Sequence, residues 1–138
     1  MSEQQALVER MFDEIINAGN LDVADELFAS DYVDHGPTGD LQGVAAFKQM
    51  VAVWRGAVPD VHCTVENWFE SGDMCAWNVR VTGTHSGPMM GIPATGRRFQ
   101  YVTPNIGRFA DGKAVEHWAD QGMFQFLTQV GVLEPPRA

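Results

Sequence analysis

The stretch GTHSGPMMGIPATGRRFQYVTPNIGRFADGKAVEHWAD, residues 83–120, decides the fold of this 138-residue chain. Its pattern predicts the end of one strand, a Gly/Pro loop over 87–96, a second strand over 99–109, an Asp-Gly turn and a third strand over 113–120. The stretch holds two of the four histidines of the chain and two neighbouring arginines. Polar groups that can exchange protons interrupt otherwise apolar strands here, so we expect a functional site in this stretch.

The sequence on either side of this stretch predicts a run of helices, two further strands and one last helix. Apolar residues recur at helical spacing in three N-terminal segments, and Ser2 is a candidate cap for the first of them. Residues 30–40, SDYVDHGPTGD, interrupt the helical pattern with turn-forming residues. After residue 60 the apolar period changes to two, as in a β-strand. The helices are predicted at 2–18, 21–29, 43–56 and 122–133, and the two further strands at 61–70 and 74–86.

Helices followed by a meander of antiparallel strands are typical of an α+β fold rather than an alternating α/β fold. A twisted sheet of this kind, covered on one side by helices, is expected to curl into a cone with an opening. A pocket in such a cone would be apolar with a few convergent polar groups.

Alternation within the strands predicts which side chains face the core. It places His85 in phase with the apolar face of the strand over 74–86, at its far end. In the following strand, Tyr101 and Asn105 share one face. In the strand over 61–70, alternation places Phe69 on the apolar face and Trp68 on the more polar one.

The last predicted strand carries the candidates for proton transfer. Regular alternation separates His117 and Ala119 from Glu116, Trp118 and Asp120, and the sequence leaves open which of the two sets faces the pocket. A carboxyl group in an apolar pocket has a raised pKa, which suits it to take a proton from a carbon next to a carbonyl.

We therefore predict that Asp120 is the general base, assisted by His117 or His85. The alternative for Asp120 is a cap at the start of the last helix, and the alternative for His117 is a solvated strand position. Asn105 or His85 would hydrogen-bond the developing enolate oxygen.

Several further side chains are candidates for contact with a substrate. The apolar loop over 87–96, with its neighbouring methionines, is predicted to cover an opening or to fold over the core. His35 is predicted either at the rim of the pocket or in a loop, bonded to its own backbone. The predicted substrate-binding residues are His35, Asn105, Trp54, Tyr101, Trp118 and Met90.

Composition excludes several classes of protein. Nine basic residues against eighteen acidic ones give a net charge of −9, which argues against binding to a phosphate backbone. The N-terminus lacks a signal-peptide pattern, and no apolar run approaches the length of about 18 residues that a membrane span needs. Cys63 and Cys75 fall within apolar strand patterns and are predicted to be core residues. These features favour a cytoplasmic protein with no membrane or nucleic-acid partner.

Common catalytic and metal-binding motifs are missing from the sequence. It contains no G-x-S-x-G, P-loop, H-E-x-x-H or G-x-G-x-x-G motif. The four histidines are far apart and lack the spacing of metal ligands, so no metal or cofactor is predicted.

The segments GTHSGPMMGIPATGRRF, IGRFADGKAVEHW and LTQVGVL, together with YVDHGP, resemble the SnoaL-like polyketide cyclase branch of the nuclear transport factor 2-like superfamily. The similarity covers nearly the whole chain. It implies a single domain over 1–138 that forms a conical α+β barrel, usually as a homodimer, with a pocket in the cone. It also implies ring closure of a polyketide ester by an intramolecular aldol step, with an Asp as general acid/base and no cofactor.

The sequence departs from this family at two positions. The family often has a histidine where Asn105 stands, and its acid often follows the Trp of EHW directly, where this chain has Ala119. The nearest carboxyl group is that of Asp120. Two hypotheses follow: a cofactor-free cyclase or isomerase, and a module on the same fold that binds an apolar or aromatic small molecule without chemistry.

Overall fold

Six strands form one curved sheet with the helices packed against it, in a computed structural model that describes residues 1–134. The predicted α+β fold is confirmed. Pro135 and Pro136, which the sequence places after the last helix, lie outside the described residues. No helix within residues 1–134 is long and apolar enough to cross a membrane.

The helices begin close to the predicted positions, but the second ends at Leu27 and the last at Gln129, before their predicted ends. The first is capped as predicted, because the Gln5 N–H donates to Ser2 Oγ at 3.0 Å, and it continues with π-helical hydrogen bonding over Met11–Asn17. A short 3₁₀ turn over Leu21–Val23 leads into the second helix. The helices are α1 (Glu3–Arg10), α2 (Ala24–Leu27), α3 (Val44–Ala57) and α4 (Met123–Gln129).

The sheet contains two strands that the sequence did not predict. Its spatial order is β2-β1-β6-β5-β4-β3, and every neighbouring pair is antiparallel except β1 and β6, which are parallel. The strands are β1 (Phe28–Gly36), β2 (Gly39–Gln42), β3 (His62–Ser71), β4 (Met74–Thr84), β5 (Arg98–Ala110) and β6 (Lys113–Ala119).

Strand β1 replaces the end of the predicted second helix and most of the predicted break over 30–40. Its parallel partner β6 lies about 80 residues further along the chain, with Asp34 opposite His117. Long-range pairing therefore overrides the local preference of a segment rich in polar and turn-forming residues. Tyr32 and Asp34 are both buried, which is the alternation of a strand with one face on the core.

A β-bulge reverses the predicted faces at the end of β3. The register against β4 shifts between Glu66 and Phe69, and Asn67 adopts a left-handed φ of 54°. An extra residue moves the following side chains to the other face. Phe69 is consequently 70% exposed, and Trp68 packs against the core with its ring 5.4 Å from that of Trp77. The predicted placement of these two side chains was wrong.

Strands β4 and β5 alternate as predicted and supply the inner wall of the core. His85, at the end of the apolar face of β4, is fully buried, and Asn105 is 5% exposed. Cys63 and Cys75 are buried free thiols, as predicted. Burial raises the pKa of Cys63 to about 12, so this thiol stays protonated at neutral pH and is no nucleophile there.

Candidate active site

The concave face of the sheet and the helices enclose a cavity of about 540 Å³. Most of its wall is apolar, and its volume lies in the range of pockets that hold drug-sized ligands. No cluster of three or more His, Cys, Asp or Glu within residues 1–134 is arranged to hold a metal ion. The apolar lining includes Phe12, Ile16, Phe47, Met50, Trp54, Val79, Val81, Met89, Met90 and Phe126.

A chain of hydrogen bonds between polar side chains forms part of this apolar wall. His117 Nδ1 lies 3.2 Å from Asp34 Oδ1, and His117 Nε2 lies 2.8 Å from Asn105 Oδ1. The Asn105 amide donates to the Thr103 carbonyl at 3.0 Å. Tyr32 donates its hydroxyl hydrogen to Asp34 Oδ2 at 3.1 Å. All five residues line the cavity.

The directions of these hydrogen bonds fix where the protons lie. Because the Asn105 NH₂ group donates to a carbonyl, its oxygen faces His117 and must accept from Nε2–H. On the other side of the ring, His117 Nδ1 lies within hydrogen-bond distance of Asp34 Oδ1. Burial, with a further contribution from the Asp34 charge, raises the pKa of Tyr32, so the phenol stays protonated and donates. The Asp34–His117 pair is thus a hydrogen-bonded carboxyl group and imidazole in the cavity wall.

Four neighbouring strands hold this pair in position. Asp34 on β1 stands opposite His117 on β6, and Asn105 on β5 stands opposite Trp77 on β4. The imidazole stacks on the Trp77 indole with ring centres 5.8 Å apart and planes 18° from parallel. Because groups fixed on strands are held more precisely than groups on loops, the site is preorganised.

The predicted site residues divide into those that line the cavity and those that do not. His117, Asn105, Tyr101, Trp54 and Met90 line it. Their placement agrees with the sequence-based prediction, and their functional roles remain predictions.

His85 lies in the core behind the cavity and is not among the residues that line it. Its Nδ1 lies 3.0 Å from Thr95 Oγ1, and its ring packs edge-on against Phe126. The His85 N–H donates to the Arg97 carbonyl and the Gly96 N–H donates to the His85 carbonyl, so these bonds hold the two ends of the loop over 86–97 together. The geometry therefore gives His85 a loop-holding position, not the predicted position beside a substrate.

Asp120 is exposed and also lies outside the cavity lining, which corrects its predicted placement. Strand β6 ends at Ala119, so the chain leaves the sheet before the alternation reaches Asp120. Its carboxylate accepts the Gly122 N–H at 2.9 Å in the turn before α4. The alternative prediction, a cap at the start of the last helix, is also wrong, because Gly122 is the N-cap residue of α4 and no side chain among the described residues caps that helix.

His35 and Trp118 lie on the outer face of the sheet, away from the cavity. His35 Nδ1 lies 2.8 Å from Asp40, and its Nε2 lies 2.6 Å from Glu116. The His35 ring also stacks on Trp118 at 5.2 Å, and Arg108 pairs with Glu116 at 3.1 Å. The predicted substrate contacts of His35 and Trp118 are corrected, because these side chains alternate with Asp34 and His117 and point to the opposite face.

Asp34 and Tyr32 are the site residues that the sequence analysis missed. Both belong to the segment predicted as a break between helices, and a turn-rich segment gives no reason to expect a buried carboxylate. The available signal was the period of two in Tyr32, Asp34 and Gly36, which is the alternation of a strand.

The charged cluster on the outer face, formed by His35, Asp40, Glu116 and Arg108, predicts a pH dependence of stability. Hydrogen bonds, first to Glu116 and then to Asp40, raise the pKa of His35 above its ordinary 6.5. The His35 hydrogen bond, with Arg108 adding to it, lowers the pKa of Glu116 below its ordinary 4.5. The contribution of His35 to the free energy of unfolding is complete below the unfolded-state pKa of His35 and is lost as pH rises through the folded-state pKa. The contribution of Glu116 is lost as pH falls through its lowered folded-state pKa. Both act together between about pH 4.5 and 6.5.

We expect His35→Gln to lower the melting temperature most within this window and progressively less up to pH 9. Thermal unfolding of both proteins from pH 4 to 9 measures the difference. His62→Gln is the matched control, because His62 is an exposed sheet histidine with no carboxylate bonded to it among the described residues. A difference for His35→Gln that does not change with pH would contradict the prediction.

A curved sheet packed by helices around an apolar cavity is the fold of the nuclear transport factor 2-like proteins. The family model of the SnoaL-like polyketide cyclases matches residues 6–130, and the chain belongs to this family.

Individual relatives are similar to this chain in sequence or in fold, and AclR among them is described as a candidate hydroxylase. The aklanonic acid methyl ester cyclase DauD from Streptomyces sp. (strain C5) is 33% identical over 128 residues, which cover 87% of this chain and 78% of DauD. The crystal structure of AclR from Streptomyces galilaeus superimposes with a TM-score of 0.85 at 28% identity, covering 99% of this chain and 86% of AclR. That of wild-type IdmH from Streptomyces antibioticus gives a TM-score of 0.80 at 31% identity, covering 93% of this chain and 98% of IdmH.

Proposed function

We propose that the protein is a cofactor-independent enzyme that moves protons on a neutral, polyketide-derived ketone or ester and thereby closes or isomerises a ring. The observation that carries this proposal is the Asp34–His117–Asn105 chain in the wall of the apolar cavity. A carboxyl–imidazole pair in the wall of an apolar cavity can take a proton from a substrate and return it in turn.

The proposed reaction uses His117 as the group that exchanges protons with the substrate. In the reacting form the Nε2 proton has been released to solvent, and the imidazole accepts a proton from the carbon next to a substrate carbonyl while Asp34 stabilises the imidazolium that forms. The resulting enolate carbon attacks a second carbonyl of the same molecule. The Nε2 proton then passes to the new alkoxide oxygen, which returns Nε2 to its unprotonated reacting form.

Asn105 has a second role in this proposal. Its amide carries two N–H bonds, of which one donates to Thr103. The other can donate to the enolate oxygen as its charge develops, in the manner of an oxyanion hole. The base therefore moves from Asp120, where the sequence analysis placed it, to the Asp34–His117 pair.

The most direct test is turnover of a candidate substrate. DauD is named for aklanonic acid methyl ester, so this ester is the first compound to assay, followed by simpler aromatic β-keto esters. Incubation in D₂O reports proton transfer at the carbon next to the carbonyl even where no ring closes. We expect the wild type to incorporate deuterium or form product, and Asp34→Asn to reduce the rate about 100-fold or more.

Asp31→Asn is the matched control, because Asp31 lies on the same strand with an exposed side chain. We expect it to retain the wild-type rate. An ester that binds in the cavity but is recovered unchanged and without deuterium would overturn the enzymatic proposal and favour the binding module.

We also infer that the protein forms a homodimer through the outer face of the sheet. Val102 and Ile106 on β5 are 36% and 44% exposed, and they alternate with residues that face the core. A second copy would remove this apolar surface from water. Sedimentation equilibrium would test the inference, and a monomer at micromolar concentration would contradict it.

A further inference from the structure

Gln121 adopts a backbone conformation that few residues with a side chain adopt. Its φ is 61°, in the left-handed region, where residues other than Gly, Asn and Asp are disfavoured. Within residues 1–134, the other non-glycine residues with positive φ are Asn67 in a bulge, Asp111 in a hairpin turn and Met90 in the loop at the cavity. Strained residues of this kind persist where the surrounding structure fixes them, and they concentrate at functional sites.

The neighbours of Gln121 hold it in this conformation. On one side, Asp120 accepts the Gly122 N–H at 2.9 Å and closes the turn. On the other side, Gly122 has a φ of 67° and lies against the wall formed by Tyr101 and Thr103. A Cβ at Gly122 would come within 2.3 Å of the Tyr101 ring, so the backbone there cannot shift without moving that wall. These contacts fix the conformation of the turn, and the turn sets the direction of the Gln121 side chain.

The Gln121 side chain lies at the cavity, and its amide makes only one weak contact. Gln121 lines the cavity, and its Nε2 contacts the Met50 sulfur at 3.9 Å, which is a weak interaction. The amide also passes close to Gly36, where a Cβ would lie 3.3 Å from Nε2. No nitrogen or oxygen atom within residues 1–134 hydrogen-bonds the Gln121 amide. The Gln121 amide therefore keeps its hydrogen-bonding capacity free for a ligand in the cavity.

We propose that Gln121 is a substrate-orienting residue, whose amide hydrogen-bonds a neutral oxygen substituent of the ligand, a ketone or a hydroxyl. This inference rests on the proposed function, because it takes the cavity as the substrate site. The Asp34–His117–Asn105 chain supplies one polar contact in an otherwise apolar cavity, and Gln121 supplies a second one from the turn after β6. Two separate polar contacts fix the orientation of a flat apolar molecule, which one contact cannot do. Gln121 then determines which carbon of the ligand faces His117.

The test compares Gln121→Asn with the wild type. Asn keeps the amide but withdraws it by one methylene, and it tolerates a positive φ better than Gln does. We expect the variant to be more stable to heat and yet to lose ligand discrimination. A merely structural role would raise the melting temperature without changing discrimination.

Discrimination is measured with a matched pair of probes, 2-acetylnaphthalene and 2-ethylnaphthalene, by quenching of tryptophan fluorescence. The two probes differ in one carbonyl oxygen. We expect the wild type to bind the acetyl compound about three- to ten-fold more tightly, and this ratio to fall to about one in Gln121→Asn. Gln125→Leu is the control, because Gln125 lies on α4 and does not line the cavity, and it should keep the wild-type ratio.

A wild type that binds both probes equally, or neither, would overturn the inference, as would a Gln121→Asn variant with the wild-type ratio. Probe binding requires no turnover, so the orienting role of Gln121 is tested independently of the enzymatic proposal. Loss of discrimination in Gln121→Asn together with no conversion of any ester would leave the orienting role in place and overturn the enzymatic proposal.

Discussion

Replacing His117 with asparagine is expected to lower kcat by about 10²- to 10⁴-fold on any ester that the wild type converts. Asparagine keeps a polar side chain between Asp34 and Asn105 but cannot take up and return a proton at neutral pH. The Trp77 ring, on which the imidazole stacks, stays in place, so the loss is chemical and not a loss of the pocket. Initial rates at saturating ester, with circular dichroism to confirm folding, measure the effect.

His35→Asn is the matched control for His117→Asn. Both histidines lie between two polar partners, but His35 on β1 faces outward and His117 on β6 faces the cavity. We expect His35→Asn to retain kcat within about two-fold at pH 8, because His35 lies on the opposite face of the sheet from the cavity. Equal losses in both variants would point to a shared structural effect. An active His117→Asn would remove His117 from the mechanism.

Gly122→Ala is expected to lower the free energy of unfolding by about 2–5 kcal/mol. The left-handed φ of 67° costs a residue with a Cβ about 1–2 kcal/mol. The new methyl group would in addition meet the Tyr101 ring at 2.3 Å and Thr103 at 2.9 Å, and such overpacking costs about 1–3 kcal/mol. Urea unfolding of the two proteins measures the difference. Because Tyr101 and Thr103 line the cavity, we also expect weaker probe binding.

Gly72→Ala separates the two contributions. Gly72 has a φ of 63°, but no atom lies within 4 Å of the position that its Cβ would occupy. It should therefore lose only about 1–2 kcal/mol, for the backbone conformation alone. Equal losses at Gly72 and Gly122 would show that the wall around Tyr101 yields to the added methyl group, contrary to the argument for a rigid turn.

The sheet of β3 to β6 was predictable because its strands are neighbours in sequence and carry a clear period of two. Apolar alternation in β4 placed Trp77 in the core without knowledge of any partner strand. The error at Phe69 came from a bulge, and one additional residue is invisible to a count of alternating positions. The period of two along β3 does not predict the bulge, because the left-handed conformation of Asn67 depends on the pairing of β3 with β4.

The candidate site was predictable only in part, for a related reason. Asn105 and Tyr101 could be assigned to the inner face, since β5 alternates over its whole length. His117 could not, because both faces of β6 carry apolar side chains. Asp34 was missed because β1 is a strand only through its pairing with β2 and β6.

The amino-acid sequence by itself determined the α+β class, the order of the helices and of four strands, and the resemblance to a family of small-molecule enzymes. These properties follow from local periodicity and from motifs that are contiguous in the chain. Only the tertiary structure decided which of the polar residues meet. It paired Asp34 with His117 across parallel strands, turned His35 to the outer face, and ended β6 before Asp120. The physical reason is that a carboxylate and an imidazole become an acid–base pair through their separation in space, which depends on strand register and not on distance along the chain.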